Sequence, residues 1–87
     1  MKKVWHDDAW DEYEYWQSQD KKTLKKINRL IKSIDRYGYQ CEGHPEELKG
    51  DLSGFYSVRI DEKNRIVFRI TDEGLEISQC GSHYEDK

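Results

Sequence analysis

A chain of 87 residues is long enough for one domain with a modest core, residues 1–87. Charged residues (38%) outnumber hydrophobic ones (34%), yet the formal net charge is only −3, and eleven aromatics supply buried area that the aliphatic count misses, so disorder is not the reading. With no long apolar run, the sequence excludes a transmembrane helix and a signal-peptide core, and a cytoplasmic protein with no membrane partner is expected.

In chain order, Lys2–His6 holds Val4 and Trp5 and suits a short first strand. Asp7 and Asp8 then offer N-cap oxygens and negative charge where a helix dipole favours both. From Ala9, the residues Ala9, Tyr13 and Trp16 keep the spacing of one helical face. Asp20 suits the cap of a second helix, whose apolar stripe is Leu24, Ile27, Leu30, Ile31 and Ile34. Its other face carries Lys21, Lys22, Lys25, Lys26, Arg29, Lys32 and Arg36, and a connection this short predicts an antiparallel helical hairpin. Charge is segregated accordingly: residues 1–20 carry −4, residues 21–40 +6, residues 41–60 −2 and residues 61–87 −3, so a local positive surface survives the acidic average.

Residues 37–52 contain three glycines and the only proline and lack sustained periodicity; Pro45 is placed to start one helical turn through Leu48. The apolar period then changes to two. Gly54–Ile60, Arg65–Ile70 and Leu75–Cys80 alternate, and residues 61–64 and 71–74 have the length and composition of hairpin turns. The order β-α-α-β-β-β predicts an α+β fold, with two N-terminal helices packed on one face of a twisted antiparallel sheet. Alternation sets Tyr56, Val58, Ile60, Ile66, Phe68 and Ile70 toward the helices. It leaves Arg59, Arg65, Val67 and Arg69 on the open face, where the arginines should crowd and repel one another.

Four features carry chemistry: Glu46 and Lys49 on one turn, Arg59 and Arg65 on the open face, and His83-Tyr84 near the end. A carboxylate, a histidine and several cations suffice to cut RNA without a metal. One group takes the ribose 2′-hydroxyl proton, another protonates the leaving 5′-oxygen, and cations stabilise the phosphorane-like transition state. Each residue also has an ordinary role. A glutamate after proline suits a solvated helix start, outward arginines protect sheets, and a basic helix face is usually a solvated one. Cys41 and Cys80 read as free thiols of a reducing compartment. No Cys/His spacing fits zinc, so neither a metal nor a cofactor is expected.

The stretch Gly43-His44-Pro45-Glu46-Glu47-Leu48-Lys49, followed by Leu52-Ser53-Gly54-Phe55-Tyr56-Ser57-Val58-Arg59-Ile60, resembles the signature of the YoeB (Txe/YoeB) toxins of the RelE/ParE superfamily. The resemblance begins at Ala9-Trp10, runs through Tyr15-Trp16, Asp20-Lys21-Lys22 and Lys26-Ile27-Asn28, continues in Asn64-Arg65-Ile66-Val67-Phe68 and ends in His83-Tyr84. It implies the toxin of a type II toxin–antitoxin system that enters the A site of the 70S ribosome and cleaves mRNA there. It also implies a YefM-type antitoxin whose C-terminal segment wraps the toxin, and it leaves a homodimer open. By the same resemblance, the general base falls on Glu46, the general acid on His83 and the transition-state arginine on Arg65. Phosphate contacts fall on Lys49 and Arg59, and the aromatic beside the acid on Tyr84.

Departures from the pattern are Glu47 where proline is usual, and Val58-Arg59 where two arginines are common. Others are His44 for a lysine, Tyr56 for a tryptophan, and Glu85-Asp86-Lys87 after the terminal tyrosine. They imply weaker RNA binding with the chemistry intact. Two further readings stand beside this one: a binding-only poison of the gyrase-inhibiting branch, and a decayed toxin kept as an antitoxin partner. Glu46, Arg65 and His83 together argue against the first, because a binding module has no need of an acid–base pair.

Overall fold

A computed structural model describes residues 1–82. The elements run β1 (Lys3–Trp5), α1 (Asp7–Gln19), α2 (Lys21–Tyr37), β2 (Glu46–Glu47), β3 (Tyr56–Arg59), β4 (Asn64–Thr71) and β5 (Gly74–Ser82), with 3₁₀ turns at Gly38–Gln40 and Gly50–Leu52. The five strands form one sheet in the order β1-β5-β4-β3-β2.

Both helices follow their sequence signals, with one adjustment. Helix α1 starts at Asp7 with His6 at the N-cap and no side-chain cap bond. Asp7 and Asp8 are therefore first-turn acids that favour the dipole, not caps. The Asp20 carboxylate does cap α2, accepting from the Lys22 and Thr23 amides and from the Thr23 hydroxyl. The stripe Ile27, Leu30, Ile31 and Ile34 is buried against Val58, Ile60, Ile66, Phe68, Leu75, Ile77 and Cys80. Each such side chain stabilises the fold by about 1.5–3 kcal/mol relative to exposure. The alternation set for β3 and β4 thus holds.

The segment after Pro45 is not a helical turn. Glu46 and Glu47 form strand β2, paired antiparallel with Ser57 and Tyr56. Leu48 continues the pairing by donating its N–H to the Phe55 carbonyl. Proline suits an edge strand as well as a first helical turn. The positive φ of Gly43 (100°) and His44 (52°) turns the chain onto the β3 edge, and pairing there overrides the local helical preference. A second correction concerns the first strand: β1 runs parallel to β5, so the sheet is antiparallel only from β5 to β2.

Among the described residues the edge of β5 beyond Ile77 has no strand partner, and α1 supplies side chains there. The Cys80 amide donates to Glu12 Oε1 at 2.7 Å, and Trp16 Nε1 donates to the Cys80 carbonyl at 2.9 Å. Those bonds fix α1 against the sheet in addition to its apolar face. Gly74 is required where β1 crosses the β4–β5 turn: its φ is +130°, and a Cβ there would lie 2.2 Å from the Lys2 carbonyl oxygen. Among the described residues no helix is long and apolar enough to cross a membrane.

Candidate active site

Antiparallel register places cross-strand partners on one face. Glu46, Ser57, Val67 and Gln79 therefore form one row across the side of the sheet away from the helices. Arg59, Arg65 and Gly81 form the neighbouring row. Along a strand, successive rows on one face are about 7 Å apart. The carboxylate and the two arginines singled out from the sequence thus fall in adjacent rows.

Ser57 links the rows. It is 2% exposed, the buried polar residue at the centre of this face, and its hydroxyl accepts from Arg65 Nη1 at 3.3 Å. The long Arg65 side chain is thereby directed toward the Glu46 row. Glu46, Lys49 and Arg59 are solvent-exposed. Among the described residues none of these three, nor Arg65, is held in an ion pair. A carboxylate and arginines left without counter-ions on one surface can receive a phosphodiester without first breaking a salt bridge.

Lys49 is placed differently from the sequence expectation. With residues 46–47 extended, Glu46 and Lys49 do not stack on one helical turn, and Lys49 lies where the chain leaves β2 for the 3₁₀ turn at Gly50. His83 and Tyr84 lie outside the described residues. Among the described residues no group of three or more His, Cys, Asp or Glu side chains is arranged to hold a metal ion.

The expected crowding of three arginines is also corrected. Arg69 Nε donates to Glu76 Oε1 at 2.7 Å, and its guanidinium carbon stands 4.5 Å from the centre of the Phe55 ring. The second Glu76 oxygen lies 2.6 Å from His6 Nε2. Arg69 first, then His6, holds the Glu76 carboxyl below the usual carboxylate range. Among the described residues, the arginines of this face without an ion pair are therefore Arg59 and Arg65. Val67, expected to face solvent, is fully buried.

Sequence reasoning did not single out Ser57, although a small hydroxyl in an apolar strand opposite Val67 was a signal. Glu12, His6 and Glu76 were not foreseeable, because their partners lie about 70 residues away and only the fold brings them together.

The family model describing a YoeB-like toxin of a bacterial type II toxin–antitoxin system matches residues 5–84. The chain belongs to this toxin family. It is 49% identical over 84 residues to Toxin YoeB of Escherichia coli K12, covering 97% of this chain and 100% of that one. Its fold is similar to that of a solved YoeB–YefM complex from Staphylococcus aureus, with a TM-score of 0.88, 41% identity, and 97% and 98% of the two chains covered. It is similar also to a YoeB dimer from that organism, with a TM-score of 0.86, 42% identity and the same coverage. The YoeB family confirms the resemblance carried by residues 43–60 and the α+β architecture. The site rows thus sit on a toxin.

Proposed function

We propose that this YoeB-family toxin is a metal-independent endoribonuclease that cleaves mRNA in the ribosomal A site. The observation that carries the reading is the pairing of rows just described: Glu46 beside Ser57, with Arg65 bonded to Ser57 and Arg59 opposite Arg65. In this mechanism Glu46 takes the proton from the 2′-hydroxyl, and the 2′-oxygen attacks the adjacent phosphorus. The 5′-oxygen leaves with a proton from His83, giving a 2′,3′-cyclic phosphate and a 5′-hydroxyl. Arg65 stabilises charge developing on the non-bridging oxygens, a contact typically contributing roughly 3–4 kcal/mol. Arg59 and Lys49 hold flanking phosphates, and Tyr84 positions substrate beside the acid. Every role is filled by a side chain, so no metal enters a step.

The basic face of α2 supplies the ribosome contact in this proposal. Lys22, Lys25 and Lys32 are solvent-exposed there, and a phosphate surface is their natural partner. A YefM-type antitoxin is the partner in this proposal, supported by the solved S. aureus YoeB–YefM complex of a relative; we place its segment on the open face, where Arg59 and Arg65 are not ion-paired among the described residues. A homodimer is supported in the same way by the S. aureus YoeB dimer.

The test is translation in vitro followed by mapping of mRNA 5′ ends and a parallel gyrase supercoiling assay. Cuts within the A-site codon, with supercoiling unaffected, are expected. Intact mRNA together with blocked supercoiling would replace the ribonuclease with a gyrase poison.

A further inference from the structure

Cys80 is fully buried on β5, and His83 follows it three residues later in the chain. Among the described residues no strand pairs with the edge of β5 beyond Ile77, yet both backbone groups of Cys80 are bonded there. The Cys80 N–H donates to Glu12 Oε1 at 2.7 Å, and the Cys80 carbonyl accepts from Trp16 Nε1 at 2.9 Å. Glu12 and Trp16 are four residues apart on α1, so they project from one side of the helix. Together they give Cys80 the acceptor and the donor that a neighbouring strand would have supplied.

Glu12 reaches one residue further. A Cβ placed on Gly81 would lie 3.5 Å from the Glu12 carboxyl carbon, so this side chain also runs alongside Gly81. Gly81 is paired with Arg65 in the row Arg59, Arg65, Gly81. The clamp therefore holds the sheet at the end of an active-site row. Docking of α1 has no need of a carboxylate, because Ala9 is fully buried and Tyr13 and Trp16 pack on the core. Bringing an ionised group partly out of water costs free energy, and a charge-assisted bond to a backbone N–H offsets that cost. What this carboxylate adds beyond packing is a hold on one peptide.

We infer that Glu12 and Trp16 are positioning residues for the acid step: by clamping the Cys80 peptide they fix the strand from which His83 follows. The inference rests on the ribonuclease reading above, in which His83 is the acid. Proton transfer needs close approach, and displacing a positioned group by about 1 Å can cost roughly 10²-fold. A strand end that loses its edge bonds frays, and the acid it carries is then in reach of the leaving oxygen for only a fraction of the time.

The test is single-turnover cleavage on programmed ribosomes, with a normal and with a sulfur-substituted 5′ leaving group. A thiolate leaves without being protonated, so a misplaced acid slows only the oxygen substrate. Glu12→Ala is expected to lose roughly tenfold on the oxygen substrate and less than roughly twofold on the sulfur one. Glu12→Gln keeps an oxygen for the Cys80 amide and is expected to come within roughly threefold of wild type. Trp16→Phe keeps an aromatic ring, removes the donor, and should show the same selective loss at roughly threefold. It decides the matter should Glu12→Ala fail to fold. Equal losses on both substrates would show a general structural role and overturn the inference, as would wild-type rates on the oxygen substrate.

A second measurement separates this inference from the ribonuclease reading. Amide hydrogen exchange at Cys80, Gly81 and His83 is followed by NMR in the whole protein without RNA. Glu12→Ala is expected to speed all three by roughly tenfold, and Glu12→Gln to return them toward wild type. That result in a protein that cuts no mRNA would remove the ribonuclease reading and leave the clamp on residue 83 standing. Faster exchange at Cys80 and Gly81 with His83 unchanged would mean that the clamp stops short of the acid, and would overturn the inference.

Discussion

Replacing Ser57 with Ala removes one hydroxyl and nothing else from the centre of the open face. That hydroxyl accepts from Arg65 Nη1 at 3.3 Å, and a hydrogen bond to a charged group contributes about 1.5–3 kcal/mol. The length of this bond and the partial exposure of Arg65 place it at the lower end, about 1.5 kcal/mol, or roughly tenfold in rate if Arg65 acts in the transition state. Stability should change by less than about 1 kcal/mol, because Ala leaves no buried donor stranded and Arg65 can turn to water. Loss of the Arg65 side chain itself should cost roughly 10²–10³-fold. The assay is single-turnover mRNA cleavage on programmed ribosomes for Ser57→Ala, Arg65→Ala and the double variant, with urea melts of each. Since Ser57 acts only by directing Arg65, the double variant should be no slower than Arg65→Ala. A further tenfold loss in the double variant, or a wild-type rate for Ser57→Ala, would refute the linkage.

Burial pushes the Cys80 thiol up to about 12, with the Glu12 carboxylate adding to it, and burial also raises Cys41. Neither should react with Ellman's reagent at pH 8 in the native protein, and both should react in urea; rapid native labelling of Cys80 would contradict its placement. Glu76 has a folded value below its ordinary 4.5, so the stability it contributes is present above about that pH and is lost as pH falls through the folded value. Glu76→Gln should therefore be less stable than wild type at pH 7, with the gap in urea midpoint closing below pH 4.5; a gap unchanged at pH 3 would refute the sign. Gly74→Ala combines a left-handed φ with a Cβ 2.2 Å from the Lys2 carbonyl oxygen and should cost more than about 2 kcal/mol, read as a fall in urea midpoint. An unmoved midpoint would mean that β1 does not cross there.

Much of this fold was legible because hydrophobic period is a local signal. Ala9, Ile27, Leu30 and Ile34 for the helices, and Val58, Ile66 and Phe68 for the strands, all point where their spacing predicts. Glu46 was misplaced onto a helical turn because Pro45 serves a helix start and an edge strand equally well, and only pairing with Ser57 decides between them. The parallel direction of β1 was illegible for a related reason, since a three-residue strand gives no indication of its partner. At the site, alternation placed Arg59 and Arg65 on one face. The same rule counted Arg69 as a third free cation, because its neutralising partner Glu76 belongs to the next strand and Phe55 to the previous one. Side-chain pairing across strands depends on register, and alternation alone does not give register.

The central claim is that Glu46 is the base and that its row is where mRNA is cut. Single-turnover cleavage on programmed ribosomes by Glu46→Gln, with ribosome affinity measured alongside, tests it most directly. The account predicts a rate loss of roughly 10²–10⁴-fold with ribosome binding retained. Cleavage by Glu46→Gln at the wild-type rate would contradict it.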